Sequence, residues 1–388
     1  MSTDKYILQE LIDLRRHFHK HPEPSFQEHA TAATIIKYLT SKGIPPTSIV
    51  TCASPGFYVD VRGTALATAS PPRTIACRAD MDGLVMPEAN AQIDYASVTN
   101  AAHMCGHDGH MVCLMGAVAR LLDNLHRLPS NNTVRFLFQP AEEDIGGAKV
   151  MVEQGCMDGV DEVWGVHNTP WRKDTVYVKE GPMLASVSKY RITVEGEGGH
   201  SSLKKQLRNP VLVLCEFNLL LEESLARDFK GTNDEVFTFC LPCMKTSDSD
   251  NVIPTTAYIE GVLRSLDESV EPLVATKMDE IAAHLELKHR VKITVDNMYK
   301  YPLTTNSGEL VEHVLRLRPD CKNENLPKLG AEDFSEFGKK APSCFMMYGI
   351  GEQAGMPHTN NYNFNDECIE GIVQLWLDII GDRLSMVV

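Results

Sequence analysis

The sequence lacks several features that would point to particular classes of protein. It has no uninterrupted apolar run of about 18 residues, so we expect no membrane-spanning helix. Basic residues are outnumbered, with 37 Lys and Arg against 52 Asp and Glu, a formal charge of −15, and no basic cluster offsets the excess. This balance argues against a nucleic-acid partner. Met1 leads directly into a helical pattern, without the charged and then apolar segment of a secretory signal.

Closely spaced cysteine pairs are also missing. The 11 cysteines are odd in number and scattered, which argues against the disulfide framework of a small secreted protein. We therefore expect a reducing compartment, the cytoplasm, in which these thiols stay reduced. The chain has 388 residues, of which 43% are hydrophobic, enough for ordinary globular cores in roughly two or three domains.

The first half of the chain alternates apolar strands with helical patterns, which predicts an α/β fold with a mostly parallel sheet flanked by helices. Three predicted strands each end beside residues that can bind a metal: the pair Asp80 and Asp82, the pair Glu142 and Glu143, and His167. Open α/β sheets place their sites at the carboxyl ends of their strands. One such strand end would carry little weight, but three that converge predict a site.

The segment His103–His110 concentrates a thiol, three imidazoles and a carboxylate, and its glycines allow a tight turn. Cysteine and histidine are the side chains that zinc and similar metals prefer. The structural alternative is a polar turn that caps a helix and buries a free thiol. The neighbouring strand ends favour a metal site over that alternative.

The pattern changes near Leu184. From there to Met298 the order is strand, helix, two strands, helix and strand, which is the order of a ferredoxin-like α+β domain. We predict an inserted domain at residues 184–298, between two parts of a catalytic domain at residues 1–183 and 299–388.

A set of motifs that covers nearly the whole chain resembles one enzyme group, the amidohydrolase branch of the co-catalytic two-metal peptidases. That branch includes hippurate hydrolase, N-acyl-amino-acid amidohydrolases and plant auxin–amino acid conjugate hydrolases. The motifs, in order, are Arg15-Arg16 with the later His-Pro-Glu-Pro, Arg78-Ala-Asp-Met-Asp-Gly-Leu, Cys105-Gly-His-Asp-Gly-His, Gln139-Pro-Ala-Glu-Glu, Gly199-His200-Ser, Gly330-Ala-Glu-Asp-Phe and His358-Thr.

The resemblance implies two divalent metal ions and a set of protein ligands. Zinc suits the Cys and His ligands best, and manganese or cobalt could occupy the same positions. Cys105 would bridge the two ions. The implied ligands are Cys105, His107, Glu143, His167 and His358.

The resemblance also implies the groups that act around the metals. Glu142 would be the general base, and Asp80 would support the ligands from behind without binding metal. Such a base transfers the water proton to the leaving amine, which typically contributes ~10²–10⁴-fold in rate.

The inserted domain is implied to act as a lid and in dimerisation. His200 would donate to the oxyanion of the tetrahedral intermediate, within one chain or across a homodimer. Asn251 and Arg264 match positions that hold the substrate's carboxylate, a task that suits the planar guanidinium. The structural alternatives are a turn histidine and a surface arginine. Lys204 and Lys205 depart from the usual family pattern, which leaves the substrate side chain open.

These residues predict a metal-dependent amidohydrolase that splits an N-acyl amino acid into a carboxylic acid and a free amino acid. One alternative is a dipeptidase on the same site. Another is a catalytically silent, dimeric binding protein of the same fold. The presence of Glu142 with all five candidate ligands argues against the silent protein.

Overall fold

The computed structural model describes residues 2–144, 146–229, 236–247 and 249–386. The helices are α1 (Ser2–Lys20), α2 (His29–Ser41), α3 (His107–Asp123), α4 (Gly147–Glu153), α5 (Pro210–Asp228), α6 (Val270–His289), α7 (Gly308–Leu317), α8 (Ser335–Gly338) and α9 (Ile369–Arg383). The strands are β1 (Ile49–Thr51), β2 (Phe57–Arg62), β3 (Arg73–Asp80), β4 (Asn132–Gln139), β5 (Glu162–Thr169), β6 (Val176–Tyr177), β7 (Gly181–Leu184), β8 (Ser186–Glu195), β9 (Gly199–His200), β10 (Phe237–Lys245), β11 (Val252–Ile253), β12 (Thr256–Ser265), β13 (Lys292–Tyr301), β14 (Thr304–Asn306) and β15 (Ser343–Gly349). None of the described helices is both long enough and apolar enough to cross a bilayer.

The chain divides into two compact units. The first consists of Met1–Met183, Thr305–Leu326 and Asp333–Val388, and the second of Leu184–Thr304 and Pro327–Glu332. The boundary predicted after residue 298 falls inside β13, and the second unit continues beyond that strand. A short return of the chain at residues 327–332 also joins this unit, which no pattern in the sequence indicates.

The first unit is built on a seven-stranded sheet with the strand order β1-β2-β4-β3-β5-β15-β6. The four central strands, β4, β3, β5 and β15, are parallel, and the strands at both edges pair antiparallel. Every residue of β4 and β15 is buried, as expected for strands covered by helices on both faces. The α/β prediction is confirmed, and the sheet is mixed, with its parallel pairing confined to the centre.

The parallel strands bring their carboxyl ends to one edge of this sheet. β3 ends at Asp80, β4 at Gln139 and β5 at Thr169. The segment His103–His110 is only partly a turn, because its second half, from His107, forms the first turn of α3. Gly106 precedes that helix with a φ of 93°, a left-handed conformation that favours glycine. A Cβ at this position would lie 2.3 Å from the Asn168 side chain.

The second unit is a four-stranded antiparallel sheet with two helices packed on it. Its strand order is β10-β12-β8-β13, so the first and third strands of the ferredoxin-like pattern are adjacent in the centre. Buried side chains of α5 and α6, including Phe217 and Met278, form its core together with the sheet. The predicted ferredoxin-like topology is confirmed.

Candidate metal centre

All five predicted ligands belong to the first unit, and they form two groups with one member in common. In each group the ligand atoms lie within 4.8 Å of one another. The first group is Cys105, His107 and His167, and the second is Cys105, Glu143 and His358. A thiolate shared by two groups is what a bridge between two ions requires. Cys105 is therefore the residue that the two groups have in common.

Hydrogen bonds fix the tautomers of two of the histidines. Nδ1 of His107 lies 2.9 Å from the carbonyl oxygen of Asp82, and Nδ1 of His167 lies 2.7 Å from that of Asn168. A carbonyl oxygen can only accept, so each Nδ1 carries a proton, and in the neutral ring Nε2 is the nitrogen with the lone pair. Nε2 of His167 lies 3.4 Å from Sγ of Cys105. In metal-binding histidines, one ring nitrogen typically binds the metal while the other donates a hydrogen bond that orients the ring, and both histidines have such a bond.

The second ring nitrogen of His107 is a test of whether the site fits a metal ion. Nε2 is buried and has no hydrogen-bond partner in the described part of the chain. Carboxylate oxygens of Asp80, Glu143 and Glu142 lie at 3.7, 3.8 and 4.0 Å from it. These distances are too long for hydrogen bonds, and the 3.8 Å between Nε2 of His107 and the Glu143 oxygen suits two ligand atoms that each lie about 2.0–2.3 Å from a shared cation. The residues therefore fit a bound metal.

The electrostatics of the site also favour a cation. Burial would lower the pKa of His107, but the surrounding carboxylates, Asp80 foremost, raise it to about 10. Burial and the nearby glutamates raise the pKa of the Cys105 thiol well above its ordinary value. A bound metal ion supplies the positive charge that lets such a thiol deprotonate. The same group of side chains thus concentrates negative charge and depends on a cation to balance it.

Asp82 is one of the two carboxylates predicted as candidate ligands at the end of β3, and in the structure it supports the segment of Glu142 and Glu143. Its two carboxylate oxygens accept the main-chain N–H groups of Glu142 and Glu143, at 3.1 and 3.0 Å. The hydroxyl of Ser25 donates to it at 2.7 Å. Burial alone would raise its pKa, but hydrogen bonds, first that from His107, lower it below the ordinary value. The Asp-Met-Asp motif marks this carboxylate in the sequence, but its hydrogen bonds to the segment after β4 are visible only in the structure.

Asp80 forms hydrogen bonds to two neighbouring side chains, His110 and Arg78. One oxygen is 2.7 Å from Nδ1 of His110, and the other accepts from Arg78 at 2.6 Å. The main-chain N–H of Asn168 donates to Nε2 of His110, so the proton on His110 is on Nδ1 and points to Asp80. His110 is thereby engaged on both nitrogens and is a poor candidate for a ligand.

Asn168 holds the main chain of Cys105, a contact that the sequence analysis did not detect. Its side-chain amide donates to the carbonyl oxygen of Cys105 at 2.7 Å and accepts from the hydroxyl of Tyr362 at 2.6 Å. The last ligand, His358, adopts a φ of 65°, which is uncommon for a residue other than glycine. Its N–H donates to the carbonyl of Met104 at 2.7 Å, which ties this late part of the chain to the Cys105 segment.

The remaining predicted residues lie in the second unit. His200 is in β9, whose partner strand β11 follows Asn251, and the N–H of Ser201 donates to the carbonyl of Asn251 at 2.9 Å. Nδ1 of His200 accepts the N–H of Ser202, so Nε2 carries the proton and can donate. Arg264 donates to the carbonyl of Leu329 at 3.2 Å. The structure brings His200 and Asn251 together, and Lys204 and Lys205, which follow His200 in the chain, are exposed.

Comparisons with known proteins point in one direction. The model of peptidase family M20/M25/M40 matches residues 76–382. Thermostable carboxypeptidase 2 of Saccharolobus solfataricus is 31% identical over 92% of this chain and 90% of its own. N-acetyl-L-cysteine deacetylase of Bacillus subtilis is 31% identical over 88% of this chain and 80% of its own. A Bacillus subtilis structure, described as a dinuclear metal binding peptidase from the M20 family, matches with a TM-score of 0.81, 26% identity and coverage of 99% and 100% of the two chains.

Proposed function

Because the chain belongs to peptidase family M20/M25/M40 and is a metal-dependent amidohydrolase, we propose that it hydrolyses the amide bond of N-acyl amino acids. The products are a carboxylic acid and a free amino acid. The observation that carries this proposal is the position of Cys105 in two ligand groups, with Glu142 beside the ligand Glu143. The relative named as a deacetylase of an N-acetyl amino acid supports the substrate class.

Two divalent ions would be held by the five ligand residues, Cys105 between them. A Cys and His set suits zinc first, and manganese or cobalt are the alternatives. When bound, the metals lower the pKa of water and polarise the amide carbonyl. The protein's part is to fix the ligands, which it does with the hydrogen bonds to His107 and His167.

Glu142 is the proposed general base. It is held through its main chain by Asp82, as Glu143 is, so the two neighbouring side chains can take different tasks. Oε1 of Glu143 lies 3.2 Å from Nε2 of the proposed ligand His358. Glu142, by contrast, belongs to neither of the two ligand groups that contain Cys105. Glu142 would accept a proton from the attacking water and deliver it to the nitrogen of the leaving amino acid.

Residues of the second unit would bind and polarise the substrate. His200 is proposed to donate from Nε2 to the oxygen that becomes negative in the tetrahedral intermediate, because Nδ1 is already an acceptor. Asn251 and Arg264 would hold the α-carboxylate of the substrate. The donor would come from the same chain or from the second chain of a homodimer formed through this unit. Strand β10 lies at the edge of its sheet and could pair in such a dimer.

A peptidase that removes one amino acid from a peptide is the second candidate. The carboxypeptidase from Saccharolobus solfataricus favours it, since that relative is as similar to the chain as the deacetylase. Both reactions break an amide next to a free carboxylate, and the catalytic residues would be the same. We place the enzyme in the cytoplasm, a proposal supported by the eleven free thiols.

The deciding experiment is a substrate panel with metal-reconstituted protein. N-acetyl and N-benzoyl derivatives of several amino acids are compared with dipeptides of the same C-terminal residue, and release of free amino acid is measured. We expect turnover of the acylated amino acids and its loss when their carboxylate is replaced by a carboxamide. Faster turnover of the dipeptides would favour the peptidase, and no turnover of either class by metal-loaded protein would contradict both.

A further inference from the structure

Cys52 and Cys156 form a pair of buried thiols that the proposed reaction does not use. Cys52 follows β1, and Cys156 follows α4. Both bind the same carbonyl oxygen, that of Met151: the Cys52 thiol donates to it at 3.3 Å and the N–H of Cys156 at 3.1 Å. Two cysteines that are distant in sequence are therefore held against a single acceptor atom.

Further contacts hold the main chain on both sides of this pair. The N–H of Ala53 donates to the side-chain oxygen of Gln154 at 2.7 Å, and Arg135 donates to the carbonyl of Cys156 at 2.8 Å. The pair is close to the surface although both sulfurs are covered, because Thr51 and Ser54 on either side of the first turn are exposed. A small reagent needs only local opening of this turn to reach the sulfurs.

The two thiols are chemically different from each other. Contact between the two side chains lowers the pKa of the Cys52 thiol, as does the charge of Arg135, whereas burial acts in the opposite direction. The same contact and burial raise the pKa of Cys156. By contrast, burial raises the pKa of Cys77, which stays an unreactive thiol. Cys52 is thus the nucleophile of the pair and Cys156 the thiol that can resolve it.

We propose that Cys52 and Cys156 are an oxidation site at which a hydroperoxide, such as hydrogen peroxide, forms a reversible intrachain disulfide. The Cys52 thiolate attacks one peroxide oxygen, the O–O bond breaks, and Cys52 becomes a sulfenic acid. The sulfur of Cys156 then attacks that of Cys52, the S–S bond forms, and the hydroxyl leaves as water with the proton of Cys156. In total, two thiols and one hydrogen peroxide give one disulfide and two waters.

The bond would fasten the helix that follows the proposed general base. α4 begins shortly after Glu143, and its C-terminal end would be joined covalently to the turn after β1. That turn already contacts the base segment, since a Cβ on Gly56 would lie 2.5 Å from the ring of Pro140. The site can be tested without any assay of activity, so its outcome is independent of the proposed function.

The test is peptide mapping of metal-loaded protein in which the accessible Cys215, Cys240 and Cys243 are replaced by serine. The protein is treated with hydrogen peroxide while folded, alkylated in denaturant, digested without reduction and analysed by mass spectrometry. We expect a peptide pair linked through Cys52 and Cys156, the loss of two titratable thiols per chain, and recovery of both after dithiothreitol. In Cys156→Ser the link should be absent, and dimedone should label the sulfenic acid at Cys52.

Two results would overturn the proposal. In the first, Cys52 and Cys156 are both recovered as alkylated, unoxidised thiols after a peroxide dose that fully oxidises Cys215 in the wild-type protein. The other is a disulfide that joins either residue to a different cysteine. The mapping of the protein with both residues present decides the question, so it does not depend on whether Cys156→Ser folds.

Discussion

The carboxylate of Asp82 accepts a hydrogen bond from the main-chain N–H of Glu142 at 3.1 Å. The main chain of the proposed base is therefore fixed by this bond. Asp82 also accepts the N–H of Glu143, the proposed ligand. One side chain therefore positions both the proposed base and the proposed metal site. A change at the base can thus be separated from a change in metal binding.

Replacing Glu142 by glutamine should abolish turnover while leaving metal in place. The amide cannot accept the proton of the attacking water, so we expect a loss of ~10²–10⁴-fold in kcat or more. Metal content is measured by elemental analysis of the same preparation. The matched control is Glu143→Gln, which should lose metal. Near-normal kcat in Glu142→Gln with full metal occupancy would contradict the role.

Replacing Cys105 by serine should weaken binding at both metal positions together, because its sulfur belongs to both ligand groups. A serine hydroxyl is a poorer ligand for zinc than a thiolate. The affinity of each ion is measured by competition with a chelator. His358→Ala is the control, since it belongs to one group and should affect mainly one ion. Full occupancy of both positions in the serine variant would argue against a bridging thiolate.

Replacing His200 by alanine should lower kcat by ~10²–10³-fold, with KM and metal content near normal, if the contact forms only in the transition state. Asn251→Ala, beside it in the same strand pair, should instead raise KM. If the donor comes from a second chain, mixing inactive His200→Ala with inactive Glu142→Gln protein should restore activity in hybrid dimers. Demonstrated subunit exchange without recovered activity would leave only a donor from the same chain.

Replacing Glu28 by glutamine should change how stability depends on pH. Oε1 of Glu28 accepts the N–H of Ala141, just before the base, and burial and then the charge of Asp82 raise its pKa to about 7. When the pKa of a carboxyl is higher in the folded chain than in the unfolded chain, the folded protein loses stability as the pH rises from about 4.5 to 7. Glutamine keeps the acceptor oxygen and carries no charge.

The free energy of unfolding of Glu28→Gln, relative to the wild-type protein, should therefore rise between pH 4 and pH 8. The expected size is of the order of 1.4 kcal/mol for each unit by which the pKa is raised. Urea unfolding at both pH values measures it, and the exposed Glu153→Gln is the control. An equal difference between variant and wild type at both pH values would show that Glu28 ionises as easily in the folded chain as in the unfolded one.

The sequence is informative where chemistry is local. Apolar strands followed by Asp80, Glu142 and His167 could be identified because hydrophobic periodicity and strand ends are properties of short segments. Parallel pairing then requires their carboxyl ends to meet at one edge of a sheet. The α/β class and the ferredoxin-like topology could be predicted from the order of such segments. The assignment of roles to the ligands came from resemblance, and their substitution remains the test.

Only the tertiary structure decided the features that depend on distant contacts. The glycines in the Cys105 motif favour a turn. In the folded protein, however, the second half of the motif is buried and is the start of α3. Asp82 can accept the main-chain N–H groups of Glu142 and Glu143 only because of where β4 ends relative to β3. The proton positions on His107 and His167 follow from carbonyl groups that no local pattern specifies. The pairing of Cys52 with Cys156 on one carbonyl likewise arises from packing, because residues distant in sequence become neighbours only when the core between them closes.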